Sequence, residues 1–99
     1  MEENYKIYLG DCLELMKNIP TGSVDMIFCD LPYNITGMKW DILIPWEPLW
    51  SEYKRVIKIN GAICLTATAK FSANMIMSNE KMFRYDIIWE KTLATGHLN

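Results

Sequence analysis

Apolar and polar positions recur along this chain with two different periods. From Tyr5 to Leu9 they alternate, which predicts a short strand. Leu13, Met16 and Ile19 then lie three apart, the spacing of one helix face. Asp11 stands where a helix cap belongs, and Glu14 takes the reciprocal position of a capping box. Pro20-Thr21-Gly22-Ser23 closes that helix as a turn. Val24 to Cys29 is a mostly apolar run, as expected of a strand buried on both faces of a parallel sheet. No element is predicted from Leu31 to Pro45, and loops of that length are commonly functional.

Trp46, Leu49, Trp50, Tyr53 and Ile57 return at spacings of three and four, predicting an amphipathic helix with Pro48 in its first turn and a stop at Asn60-Gly61. Ala62 to Ala67 reads as a second buried strand. Ala69 to Asn79 reads as a helix with Phe71, Met75 and Ile76 inward, and Phe83 to Trp89 as a further strand. The resulting βαβαβαβ order calls for an α/β fold, a parallel sheet with flanking helices, in which ligands bind beyond the carboxyl ends of the strands.

Composition narrows the function classes. At 99 residues the chain is one domain, and with half its residues apolar it should fold. Ten basic against twelve acidic residues exclude a polybasic mode of nucleic-acid binding. Lys54, Arg55 and Lys58 make either a weak phosphate-contacting patch or a solvated helix face. No apolar run has the length of a membrane helix, and Met-Glu-Glu-Asn does not begin a signal peptide, so a cytoplasmic protein is expected. Cys12, Cys29 and Cys64 show no C-x-x-C spacing and should be reduced, mostly buried thiols; with the single His97 they make a metal site improbable. The glycines, Gly10, Gly22, Gly37, Gly61 and Gly96, are too far apart for a dinucleotide or phosphate-binding loop.

The remaining chemistry lies in Asp30-Leu31-Pro32-Tyr33, directly after a buried strand. Pro32 fixes its own φ and pushes Leu31 into an extended conformation. The Asp30 carboxylate and the Leu31 carbonyl could then converge on one donor group. An exocyclic amine of a nucleobase carries two N–H donors and would satisfy both. Tyr33 offers a flat, exposed ring on which an extruded base would stack. Such an amine is a poor nucleophile because its lone pair is delocalised, and a pre-placed anion stabilises the positive charge that develops when it attacks a methyl donor. The plain alternative is an Asp that only caps a turn.

The stretches Gly10-Asp11-Cys12-Leu13-Glu14 and Gly22 to Asn34 resemble the amino-terminal part of amino-group DNA methyltransferases, in the beta arrangement where a D-P-P-Y motif precedes the cofactor motif. Lys39-Trp40-Asp41 and Trp46-Glu47-Pro48-Leu49-Trp50 look like phage- or prophage-type members, and Trp89-Glu90-Lys91 resembles a later strand end. The resemblance implies a Rossmann-like, S-adenosylmethionine-dependent fold, DNA as partner and a restriction–modification setting. It assigns the target amine to Asp30, with the carbonyl of Leu31, the constraint of Pro32 and the ring of Tyr33. It assigns S-adenosylmethionine to Asp11, Cys12 and Leu13, with Asp30 near the methyl group. An Asp at the first position resembles the adenine enzymes; cytosine relatives more often begin with Ser.

Two departures qualify it. Leu31 replaces the first proline, keeping a carbonyl but losing a ring constraint. The family's glycine-containing cofactor motif and its target-recognition region are absent from residues 1–99. The expectation is therefore a single partial domain, truncated before that motif, which binds the methyl donor weakly or not at all and is inactive alone. Its open sheet should make it a homo-oligomer or the partner of a chain covering the missing half. The alternative is a non-catalytic, oligomerising remnant or interaction module. Trp46 and Trp50 are expected in the core, and Trp40 as a lid or a local anchor.

Overall fold

The computed structural model describes residues 4–34, 36–39 and 41–92. Trp40 and His97 lie outside them. The elements run α1 (Cys12–Leu15), a 3-10 turn (Met16–Asn18), β1 (Val24–Cys29), α2 (Trp46–Val56), β2 (Ile57–Leu65) and α3 (Ala69–Ser78). Strands β1 and β2 pair in parallel, from Val24 opposite Ile57 to Cys29 opposite Leu65. The fold is α/β, with two strands and three helices among the described residues.

The core lies on one face of this sheet. Leu49 and Tyr53 of α2, Phe71 of α3 and Leu31 are buried together, against Ile27 and Cys29 of β1 and Ile63 and Leu65 of β2. Leu13 and Met16 pack on the same cluster, so all three helices cover one side. On the opposite side Met26 and Phe28 are exposed. The expectation that β1 is buried on both faces is therefore corrected: alternate side chains of a strand face opposite ways, and helices cover only one of them.

Three further expectations are corrected. Tyr5–Leu9 and Phe83–Trp89 form no strands; they carry no regular element, and Leu9 is fully and Trp89 largely exposed. An alternating pattern makes a strand only when a neighbour takes up its backbone groups, and neither segment finds one in the two-stranded sheet. Asn60-Gly61 does not stop α2. The helix ends at Val56, and the β-branched Ile57 and Ile59 open β2 directly.

Gly61 instead serves the sheet. The register slips between the Val24–Ile57 and Met26–Ala62 pairs. A Cβ at Gly61 would lie 2.6 Å from Ile57 Cγ1 and 2.9 Å from the Asp25 carbonyl oxygen, so only glycine fits this irregularity without a shift. Lys58 Nζ reaches Asp25 Oδ1 across it at 2.8 Å.

Arg55 ties α2 to the first helical segment. Its guanidinium donates to the carbonyls of Met16 (2.8 Å), which caps the end of α1, and Ile19 (2.7 Å), just past the 3-10 turn, and to Glu52 (2.7 Å). That pairing lowers the Glu52 carboxyl below its ordinary range and raises Arg55 further. The Arg55 carbonyl accepts from Gly22 N, where the backbone turns with φ 64°. With Arg55 occupied and Lys58 paired, the phosphate-patch reading of Lys54, Arg55 and Lys58 loses two of its three cations.

Candidate functional site

Asp30 stands one residue past the end of β1, and Thr66 one residue past the end of β2. The last sheet pair is Cys29–Leu65, and the ladder extends by one bond, Thr66 N to the Cys29 carbonyl at 3.1 Å. Register thus places the two side chains next to each other. The Thr66 hydroxyl donates to Asp30 Oδ1 at 2.6 Å and accepts from the Tyr33 hydroxyl at 2.8 Å. No residue among those described hydrogen-bonds to Asp30 Oδ2 or to the Leu31 carbonyl. Asp30 is exposed.

Sequence-expected residues divide here. The Leu31 side chain is buried in the core, which fixes the backbone that carries its carbonyl. Pro32 is half-buried. Tyr33 is not the exposed ring expected: it is half-buried, with its centroid 4.5 Å from Phe71 at an interplanar angle of 37°. The reason is a competing apolar partner on α3, with Phe71 itself 5.3 Å from Trp46. Thr66 was not legible from motif or periodicity; only the parallel register brings it to Asp30.

The loop after Tyr33 is held by Asp41, a carboxylate only 2% exposed. Its Oδ1 accepts from Asn34 N at 2.8 Å, and its Oδ2 accepts from Thr36 N (2.7 Å) and the Thr36 hydroxyl (2.8 Å). Asn34 has φ 60°, a left-handed conformation that Asn tolerates better than most residues. Backbone donors aimed at a buried anion compensate its lost hydration, and they fix the chain immediately beyond Tyr33.

Asp11, Cys12 and Leu13 lie at the start of α1. Asp11 caps the helix, its Oδ1 accepting from Leu13 N at 2.9 Å. Glu14 does not complete the capping box; its carboxylate bonds Lys17 Nζ at 3.1 Å, one turn on. Cys12 is exposed, and Cys29 and Cys64 are half-buried, so the expectation of mostly buried thiols is corrected. Partial desolvation, then the Asp11 carboxylate and nearby Cys29, push the Cys12 thiol above its ordinary value. Leu13 and Cys29 pack on the same core cluster, which places the start of α1 near the end of β1. Burial, followed by neighbouring Cys29, raises the Tyr53 hydroxyl. A shallow depression of about 270 Å³ beside Asp11 is lined by Tyr8, Gly10, Cys12, Leu15 and Met16, among others. Among the described residues no cluster of His, Cys, Asp and Glu could hold a metal ion, and no helix is long and apolar enough to cross a membrane.

Comparison with known proteins finds methyltransferases. Over 68% of its length the chain is 57% identical to the Type II methyltransferase M.BamHI of Bacillus amyloliquefaciens, covering 18% of that protein. It is 32% identical over 81% of its length to the DNA adenine methyltransferase YhdJ of Escherichia coli (strain K12), covering 31% of it. A shorter stretch, 36% of the chain, is 39% identical to the Type II methyltransferase M2.MboI of Moraxella bovis. The chain is similar to methyltransferases. It spans less than a third of the length of the relatives it matches. No family model and no solved structure matches it.

Proposed function

We propose that these residues form the target-amine half of the active site of an amino-group DNA methyltransferase of the beta arrangement and phage type, acting on the exocyclic amine of adenine. One observation carries the reading. At the carboxyl end of β1 a carboxylate has one oxygen tied, and no described residue hydrogen-bonds to its other oxygen or to the carbonyl of the next residue. Similarity to methyltransferases, one of them named for DNA adenine, supports the chemistry. The resemblance of Gly10 to Glu14 and Gly22 to Asn34 to the amino-terminal part of that family supports the beta arrangement.

In this reading Asp30 Oδ2 and the Leu31 carbonyl accept the two N–H bonds of the amine and hold its nitrogen in place. The Asp30 carboxylate stabilises the positive charge that develops on that nitrogen. Pro32 restricts the backbone of Leu31, which carries the second acceptor. The accessible part of the Tyr33 ring contacts the edge or face of the base, and Phe71 sets its tilt.

The residues assigned to S-adenosylmethionine fit it in part. Asp11 keeps one carboxylate oxygen for a cationic or hydroxyl donor, and the adjoining depression is largely apolar. Its volume of about 270 Å³ falls just below that of pockets which enclose ligands of this size, ~300–1,000 Å³. Asp11, Cys12 and Leu13 would hold one end of the donor, so its binding to these 99 residues is weak and transfer by them alone is absent. When bound, S-adenosylmethionine supplies an electrophilic methyl group.

A second reading, an association module without catalysis, is favoured by the uncovered apolar face at Met26 and Phe28. Titration followed by protein NMR separates the two. Adenosine is expected to shift the resonances of Asp30, Leu31 and Tyr33, whereas N6,N6-dimethyladenosine, which lacks both N–H donors, leaves them in place. Cytidine equal to adenosine would keep the amine chemistry and remove the preference for adenine. Equal responses to adenosine and its dimethyl derivative, or none, would overturn the proposal.

A further inference from the structure

Thr66 occupies a place in the site that similarity to methyltransferases does not assign. Its backbone is fixed by the bond from its N–H to the Cys29 carbonyl, and its branched Cβ restricts χ1. A hydroxyl has one proton to donate, and here it goes to Asp30 Oδ1 at 2.6 Å. One of its lone pairs takes the Tyr33 hydroxyl at 2.8 Å. Tyr33 is in turn held by Phe71. The carboxylate of an exposed aspartate, free to rotate about its terminal torsion, is thereby anchored through one oxygen to the neighbouring strand.

We infer that Thr66 is a positioning residue for the target amine: by tying Oδ1 it presents Oδ2 as a fixed acceptor, so that an amine with two N–H donors is distinguished from one with a single donor. The inference rests on the amine-binding reading above. Without the hydroxyl, Asp30 would still attract a donor, but its second oxygen would no longer be held in one place relative to the backbone that carries the Leu31 carbonyl. The two-acceptor arrangement would then relax into a single, mobile one.

The test is the ratio of affinities of the 99-residue chain for adenosine and N6-methyladenosine, measured by NMR titration. Wild type is expected to favour adenosine roughly tenfold, the worth of one well-placed hydrogen bond to a charged group. Thr66→Val, nearly equal in shape, is expected to bring the ratio to within about twofold. Thr66→Ala should do the same without the added methyl, and Thr66→Ser should retain the wild-type ratio. General loss of structure is read separately, as collapse of the amide spectrum and loss of both ligands, and the ratio is compared only between variants that keep the wild-type spectrum away from the site. An unchanged ratio in both Thr66→Val and Thr66→Ala, or a Thr66→Ser variant that behaves like them, would overturn the role of Thr66 while leaving the site intact. A wild-type chain with no preference for adenosine would overturn the site itself, and the role of Thr66 with it.

Discussion

At the scale of single residues, what the sequence revealed was type and order, and what it hid was who shares a hydrogen bond with whom. Asp30, Leu31 and Tyr33 are adjacent in the chain, so their joint placement at a strand end follows from Val24–Cys29 alone. Thr66 is 36 residues from Asp30 and carries no motif. Only the pairing of Cys29 with Leu65 puts it there. The half-burial of Tyr33 was hidden for the same reason, since its partner Phe71 belongs to α3. Asp41 is a comparable case. It sits in a segment with no readable element, yet it gathers Asn34 and Thr36 around a buried carboxylate. Asp41→Ala is expected to cost about 1–3 kcal/mol, the range for polar groups that lose a partner, and no more because the exposed Asn34 and Thr36 can turn to water. Urea unfolding measures the loss, and amide exchange should quicken at Asn34 and Thr36. Unaltered exchange at both amides would mean that the loop is held by something else.

At the scale of elements, helices were easier to read than strands. The apolar stripe of α2 carries its own evidence in Trp46, Leu49, Trp50 and Tyr53, and the helix forms with Leu49 and Tyr53 buried. Its end was misjudged because Asn60-Gly61 is a strong stop signal. The β-branched residues before it, together with the close approach of Gly61 to the Asp25 carbonyl, made that glycine part of β2 instead. Strand patterns at Tyr5–Leu9 and Phe83–Trp89 describe what those segments suit, not what they pair with. Arg55 shows the reverse error. Read as one of a cluster of surface cations, it instead closes the carbonyl end of the first helical segment and joins it to α2.

At the scale of the whole molecule, apolar surface is the dominant feature. The accessible area is 8749 Å², against roughly 5,800 Å² expected of a packed chain of this mass. The radius of gyration is 15.3 Å, against about 13 Å for a domain of this length. Met26, Phe28, Ile59, Tyr85, Ile87 and Trp89 all contribute to the excess. Surface of this kind promotes association. In sedimentation velocity the chain is expected to self-associate across the micromolar range, and to do so less when Phe28 and Ile87 are replaced by Thr. A stable monomer throughout that range would contradict this. The site itself does not depend on association, because Asp30, Leu31, Tyr33 and Thr66 are brought together within one chain. Its defining property is therefore measurable on that chain: the affinity for adenosine relative to purine riboside, which lacks the amine, in wild type and in Asp30→Ala. The account predicts a clear preference for adenosine in wild type that disappears in Asp30→Ala while binding of purine riboside is unchanged. A preference that survives the loss of the carboxylate would contradict it.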